Sequence, residues 1–234
     1  MLILGIDTTT KTAAVAVVNF ENDTSKILSE MQSCGKISHS ENLMPMIDYN
    51  LKCAGVALND IDLFAISRGP GSFTGIRIGI STVKGLAFGS ETNNCISISS
   101  LFALAYNFYD SHGDLLILPV IDARRKQVYN AVFENNKYIK TDRIITITEL
   151  ETELNFEFIN RKIVFAGDGA DMCYNEIKFG GKIQIPEILK KPFASSVCRA
   201  AHDIYITNGA IHPRTLAPSY LIKTQAEREY SGKP

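Results

Sequence analysis

The sequence predicts an α/β protein built from two similar lobes with a cleft between them. The first observation is an internal repeat, in which LILGIDTTTKTAAVAV (2–17) aligns with ILPVIDARRKQVYNAV (117–132) and shares five identical positions. The second is the order of the elements. Each half places a hairpin before an apolar strand that ends in glycines, LFAISRGPG (63–71) and IVFAGDGA (163–170). Duplication of one unit explains both observations.

Length and composition allow two small lobes or one large domain. The chain has 234 residues, of which 45% are hydrophobic and 21% charged. We expect an N-terminal lobe at 1–105 and a C-terminal lobe at 106–217, with 218–230 as a candidate for completing the first lobe. The formal net charge of −1 argues against a globally basic nucleic-acid binder.

Three features of the sequence bear on the compartment in which the protein works. No apolar run approaches the roughly 20 residues that cross a bilayer, so no membrane association is expected. The start, MLILGIDTTT, lacks the features of a signal peptide. Five cysteines without a CxxC pair favour a reduced, cytoplasmic setting over a disulfide framework.

Apolar patterning predicts the individual elements. Strands are expected at 2–7, 12–20, about 25–33 and 61–67, with some strand character at 143–148, and helices at 38–53 and 76–88. Ser38 and Glu41 have the spacing of a capping box at the start of the first helix.

The glycine loop SRGPGSFTGIRIG (67–79) admits two interpretations. A strand, a glycine loop and a helix N-terminus together form a ready anion site. The loop is neither a Walker A motif, because Ile-Arg follows Gly75, nor a G-x-G-x-x-G fingerprint. The other interpretation is a tight turn whose glycines allow two backbones to pack closely.

Two aspartates, Asp7 and Asp122, end strands that face the expected cleft. They could hold Mg²⁺ or accept backbone N–H bonds in the following turn, and for Asp122 we favour the second role. A further Gly-Asp-Gly turn at 167–169 could contact a nucleotide. The histidines His39, His112, His202 and His212 show no metal-binding spacing, and no G-x-S-x-G occurs, so no peptidase site is predicted.

Four segments carry a family resemblance, and they are IDTTTKTAAVAV, HSENLMPMID, SRGPGSFTGIRIGISTVKGLAFG and IDARRKQVY. In this order the chain resembles the TsaB (YeaZ) family over nearly its whole length. The resemblance implies the superfold of actin, Hsp70 and sugar kinases, often called ASKHA. It also implies a role in forming N6-threonylcarbamoyladenosine at position 37 of tRNAs that read codons beginning with A. The implied partners are the catalytic paralogue TsaD, a TsaE-type ATPase, and tRNA through the complex.

Two departures from active relatives imply a non-catalytic chain. TsaD-like sequences carry His-x-x-x-His some twenty residues after the glycine stretch, but here SISSLFALA (97–105) contains no histidine. Active members of the superfold have glycine in the first Asp turn, where this chain has Thr8, Thr9 and Thr10. No cofactor is firmly implied, and ATP or ADP at the complex interface stays open. The expected vestigial nucleotide site consists of Asp7, Thr8, Thr9, Gly69, Gly71, Gly75, Asp122, Gly167, Asp168 and Gly169.

The function that we expect is a scaffold subunit that binds and activates TsaD through helices 38–53 and 76–89. The expected interface consists of Leu43, Met44, Met46, Ile47, Tyr49, Leu51, Ile76, Gly79, Ile80, Thr82 and Val83. Met46→Asp and Gly79→Leu are expected to weaken partner binding without unfolding the monomer. The same helices are expected to form a homodimer when the chain is alone.

Two further hypotheses stay open. One is a weak ATPase or kinase that uses Asp7, the loop at 69–75 and the 167–169 turn. The other is direct tRNA contact by the basic run 124–126 or by the lysines 190–191, as opposed to ordinary solvated surface charge.

Overall fold

A computed structural model describes residues 1–22, 24–34, 38–111 and 113–221. The first repeat unit contains, in chain order, β1 (Leu2–Asp7), β2 (Ala13–Glu21), β3 (Thr24–Ser33), α1 (His39–Ala54), β4 (Leu63–Ser67), α2 (Phe73–Gly89), β5 (Cys95–Ile98) and α3 (Ser100–Ala105). The second contains β6 (Leu115–Asp122), β7 (Gln127–Glu134), β8 (Lys137–Thr146), α4 (Ile147–Glu157), β9 (Lys162–Ala166), α5 (Ala170–Glu176) and α6 (Ala194–Asn208).

Each unit forms its own mixed sheet, and the four strands of the second sheet repeat the order of four of the five strands of the first. The first has strand order β3-β2-β1-β4-β5 and the second β8-β7-β6-β9. In both, the first strand pairs antiparallel with a hairpin partner on one side and parallel with a later strand on the other. This repeated topology confirms the prediction of two similar α/β lobes.

The helices α1 and α2 lie side by side on one face of the first sheet and bury one aliphatic core with it. The capping box at Ser38 and Glu41 is present, and Gly55 ends α1 in the left-handed conformation that glycine favours. The second helix begins three residues earlier than expected, at Phe73, since the Ser72 hydroxyl accepts the Gly75 N–H and caps it.

The lobe boundaries need a correction, because the two units exchange their last helices. The helix α3 packs against β6 and β7 of the second sheet, although 1–105 was assigned to the first lobe. Conversely, α6 packs against β1 and β2 of the first sheet, although 106–217 was assigned to the second. Each of these helices has buried residues around most of its circumference, which matches a position between two sheets.

The segment after α6 returns to the first lobe. Ile211 forms a bridge with Cys95, and the Ser219 N–H donates to the Arg68 carbonyl at 2.8 Å. Of the segment 218–230, which we expected as a candidate for completing the first lobe, the structure describes residues up to Leu221. The remainder lies outside the described residues, as does His112. In the described part of the chain, no helix is long and apolar enough to span a membrane.

Candidate functional site

A cavity of about 830 Å³ opens between the two lobes, at the ends of β1 and β6. It is large enough for a small-molecule ligand. Its walls come from the turns after Asp7 and Asp122, from the start of α2 and from the C-terminal segment. The residues used below that line it are Thr9, Thr10, Lys11, His39, Gly71, Ser72, Phe73, Asp122, Arg124, Asp168 and Tyr220.

The turn after Asp7 is closed by its own hydrogen bonds. Asp7 is fully buried, and its Oδ1 accepts the Thr9 N–H and the Thr9 hydroxyl, each at 2.8 Å. Its Oδ2 has no hydrogen-bond partner among the described residues. Burial raises the pKa of Asp7, and the Ser67 hydroxyl beside it and the Thr9 donors oppose that rise. This carboxylate therefore serves the turn and does not face the cavity.

The glycine loop packs directly on this turn. A Cβ on Gly71 would lie 2.3 Å from the Thr9 carbonyl oxygen, and a Cβ on Gly75 would lie 2.0 Å from that of Thr8. The Ser72 N–H donates to the same Thr9 oxygen at 2.7 Å. The space that these glycines leave is filled by backbone, so the close packing predicted for the loop is confirmed.

The turn after Asp122 has the same aspartate-to-backbone hydrogen bond as the turn after Asp7, but Asp122 is exposed. Asp122 Oδ1 accepts the Arg124 N–H at 2.7 Å, as expected for this aspartate, and its own N–H donates to Asp168 Oδ1 at 3.0 Å. Arg124, Arg125 and Lys126 are all exposed and adopt φ values of 67°, 54° and 59°. Gly167 packs against Val120, as Gly75 does against Thr8.

The residues of the Asp7 turn do not fit a phosphate held on the glycine loop. Thr8 is buried and its hydroxyl donates to the Gly75 carbonyl at 2.7 Å, so the loop is tied to the turn. Among the described residues, no group of three histidines, cysteines or carboxylates could hold a metal ion. The 97–105 stretch contains the end of β5 and the helix α3, where the Ser100 hydroxyl donates to the Pro70 carbonyl.

The structure corrects most of the expected partner interface. Seven of its members are buried in the core of the first lobe, namely Leu43, Met46, Ile47, Ile76, Gly79, Ile80 and Val83. A Cβ on Gly79 would lie 2.4 Å from Thr8 Oγ1. Met46→Asp and Gly79→Leu would therefore disrupt the fold itself, and the expectation that they spare the monomer is wrong. These positions form the inward stripes of two amphipathic helices.

The outward face of α1 and α2 carries different residues. Met44 and Tyr49 are 50% and 57% exposed, whereas Leu51 and Thr82 are partly buried. On α2, Ser81 and Gly85 are exposed one turn apart, and a Cβ on Gly85 would meet no atom within 4 Å. We call Met44, Tyr49, Ser81 and Gly85 the outer helix face. Sequence reasoning missed the last two, although their i, i+4 spacing was visible.

Two further contacts at the cavity were also missed. The Tyr220 ring packs against the Phe73 ring with centroids 5.0 Å apart and planes tilted by 30°, and the Tyr220 hydroxyl accepts the Arg77 Nε–H at 2.9 Å. His39 is half-buried, with Nε2 at 2.8 Å from the Thr10 carbonyl oxygen. Both contacts join segments distant in sequence, so local patterns gave no signal for them.

Comparison with known families gives a match over most of the chain. The family model described as "TsaD: tRNA N6-adenosine threonylcarbamoyltransferase" matches residues 33–230. The chain is 36% identical to the tRNA threonylcarbamoyladenosine biosynthesis protein TsaB of Escherichia coli, over 58% of this chain and 57% of that one. It is 30% identical to the TsaB of Buchnera aphidicola from Schizaphis graminum, over 72% and 79%.

The extent of these matches differs between sequence and structure. Alignments with the Escherichia coli, Haemophilus influenzae and Bacillus subtilis relatives span only 57%, 52% and 56% of those proteins. The solved structure of YeaZ from Pseudomonas aeruginosa superposes with a TM-score of 0.76 at 24% identity, over 94% of this chain and 99% of that one. The fold is therefore shared across the full length of that structure.

Proposed function

Because the chain belongs to the TsaB family, we propose that it is a non-catalytic subunit of the complex that makes N6-threonylcarbamoyladenosine in tRNA. In this proposal it binds a catalytic TsaD-type subunit through the outer helix face and holds that subunit in its active form. The observation that carries the proposal is the filled Asp7 turn, where Thr8 and Thr9 occupy the space beside the glycine loop.

The filled turn supports a role without phosphate chemistry. The backbones of Gly71 and Gly75 approach Thr9 and Thr8, so these glycines serve the packing of the lobe. An enzyme that transfers phosphoryl groups needs donors aimed at the position of the phosphate. Here the Ser72 N–H at the start of α2 is bonded to Thr9. A rigid, self-closed turn is well suited to a subunit whose task is to present a surface.

The outer helix face supports partner binding. Met44 and Tyr49 expose apolar or amphipathic side chains, of types that contribute strongly to interfaces. On the neighbouring helix α2, the small exposed residues Ser81 and Gly85 let another helix approach closely. In this proposal, two copies of the chain pair through the same face when the partner is absent, and a TsaE-type ATPase joins the assembled complex.

Binding calorimetry with a purified TsaD-type partner tests the proposal. Gly85→Glu places a charged side chain in open space, so the monomer keeps its fold, and we expect the Kd to rise at least about tenfold from a buried, unpaired charge. Gly85→Ala should raise helix stability by up to about 1 kcal/mol while still weakening binding, because its methyl group separates two closely packed helices. General damage to the fold cannot explain a variant that is more stable than the native chain and yet binds more weakly.

The matched control is Phe156→Ser on the second lobe. Phe156 is 86% exposed and lies on α4, away from the outer helix face, so its removal should leave the affinity unchanged. If Gly85→Glu binds as well as the native chain, the outer helix face is not the interface. If both variants weaken binding equally, the contact lies elsewhere or is nonspecific.

A further inference from the structure

The most unusual charged feature outside the outer helix face is the turn that joins β6 to β7. It carries three consecutive cations, Arg124, Arg125 and Lys126, all of them exposed, in a chain whose net charge is −1. We call these three residues the basic turn. Its counterpart in the first repeat is Thr9, Thr10 and Lys11, so the basic turn is not required by the fold.

The basic turn is held in a defined shape. The Arg124 N–H donates to Asp122 Oδ1, the Gln127 N–H donates to the Arg124 carbonyl at 3.0 Å, and the Ile147 N–H donates to the Lys126 carbonyl at 3.0 Å. All three residues of the turn lie in the left-handed region. A surface whose backbone is already fixed loses little entropy when it binds a partner.

The charges of the basic turn are largely unneutralised. Within the described part of the chain, neither Arg124 nor Arg125 forms an ion pair, and Lys126 has one pair, a 3.4 Å contact with the exposed Glu176. Exposed pairs of this kind contribute little. The other basic pair differs, because Lys190 is bonded to Asp171 at 2.5 Å and to Glu187 at 3.0 Å. The basic turn is therefore the better candidate of the two for an external anion.

The basic turn lies at the interlobe cavity, which is also lined by a cation of the first lobe. Arg124 lines the interlobe cavity together with Lys11 of the first lobe, which is exposed. Asp122 and Asp168 nearby each use one oxygen to accept a backbone N–H. An extended polyanion that crosses the mouth of the cavity would thus meet cations from both lobes. The arginine fork suits the two free oxygens of a phosphodiester.

We infer that the basic turn is the surface through which this chain contacts the phosphate backbone of the tRNA that its complex modifies. This inference rests on the proposed function for the identity of the RNA. Contact with phosphates carries no base information, so the basic turn positions the tRNA and does not select its sequence. The affinity that it supplies must fall with salt, because each cation releases counterions from the RNA.

The test uses the complex of the full chain with its TsaD-type partner and an unmodified tRNA transcript. The variant Arg124→Gln/Arg125→Gln/Lys126→Gln is compared with Lys137→Gln/Lys162→Gln/Lys178→Gln, an equal charge change at exposed lysines of the same lobe. Fluorescence anisotropy at several salt concentrations gives the slope of log affinity against log salt. We expect the basic-turn variant to lower that slope by about 3, one per cation, and to weaken binding about tenfold or more. The control should match the native complex.

Three outcomes overturn the inference, and each is distinct from failure of the proposed function. Equal behaviour of the two variants shows that only overall charge matters. If the basic-turn variant binds the TsaD-type partner more weakly in the absence of tRNA, the basic turn faces an acidic protein surface instead. If the native chain binds its partner but the complex binds tRNA no more tightly than the partner alone, the inference fails while the proposed function stands. Failure of the native chain to bind that partner removes the proposed function.

Discussion

The Asp7 turn and the Asp122 turn occupy equivalent places in the two repeats, yet one is sealed and the other is open. Both aspartates accept the N–H two residues further on through Oδ1. After Asp7 come three buried threonines, and after Asp122 come exposed residues that include two arginines. The hydrogen bond that shapes the turn is common to both, whereas burial and charge differ.

This difference shows what the shared fold requires and what it leaves free. The fold requires an aspartate that caps its own turn and glycines that let the next strand's loop pack against the lobe. It leaves free whether the turn residues point into the protein or toward a partner. In the first lobe this freedom is used for packing, and in the second we propose that it is used for contact with RNA.

The largest expected effect separates a glycine in tight backbone contact, Gly75, from one with more room, Gly169. Gly75→Ala should destabilise the protein by about 3 kcal/mol or more, since its Cβ would lie 2.0 Å from the Thr8 carbonyl oxygen and the backbone must move. Gly169→Ala should cost about 1 kcal/mol or less, because its nearest contact is 3.2 Å away. Urea unfolding of both variants measures the difference, and equal losses would contradict the tight contact between Gly75 and Thr8.

A smaller effect of opposite sign is expected at Asp7. Burial raises the pKa of Asp7, so the folded state favours its protonated form, and this carboxyl destabilises the protein increasingly as pH rises through its folded pKa. Asp7→Asn keeps the acceptor for Thr9 and removes the buried charge. It should gain about 1 kcal/mol or more at pH 7, because a neutral amide costs less to bury than an ionised carboxylate. The gain should shrink below the ordinary pKa of an aspartate.

Asp122→Asn is the matched control for this prediction, because Asp122 is exposed and makes the same turn bond. In thermal unfolding from pH 3 to pH 8, the melting temperatures of the two variants, each relative to the native protein, should differ only towards pH 8. A loss of stability in Asp7→Asn at pH 7 would indicate that the Asp7 charge is stabilising, which contradicts the sealed character of the turn.

The smallest expected effect concerns the backbone of the basic turn. Arg125 has a φ of 54°, a conformation that costs a side-chain-bearing residue about 1 kcal/mol and glycine almost nothing. Arg125→Gly should therefore raise the free energy of unfolding by about 0.5 kcal/mol after the larger chain entropy of glycine is subtracted. Calorimetry compares the melting temperatures of Arg125→Gly and Arg125→Gln. Both variants lose the charge, but glutamine still carries a Cβ, so the difference between them isolates the backbone contribution. A melting temperature no higher than that of Arg125→Gln would argue against a left-handed turn.

Much of the fold could be predicted because its signals are local or repeated. The Ser38 capping box, the two hairpins and the glycine loop each occupy a short stretch, and the repeat around Asp7 and Asp122 indicated two lobes. The signal for α4 was also present and went unused, since Thr146 and Glu149 form a second capping box. The start of α4 was therefore predictable from the sequence.

The candidate site was predicted less well because burial is decided by tertiary packing. Periodicity identified the apolar stripe of α1 but could not tell a core from an interface, so Met46 and Ile47 were assigned to a partner when they face the sheet. The exchange of α3 and α6 between lobes has no local signal, because both helices are apolar on several sides. The contact of Tyr220 with Arg77 spans 143 positions and was equally invisible.

The most direct test of the account is reconstitution of tRNA modification. A TsaD-type subunit, its ATPase, a tRNA that reads codons beginning with A and pre-formed threonylcarbamoyl-adenylate are combined with and without this chain, and the modified nucleoside is measured by mass spectrometry. The account predicts product only when both this chain and the TsaD-type subunit are present, and reduced product with Gly85→Glu. Equal product without this chain, or product from this chain alone, would contradict it.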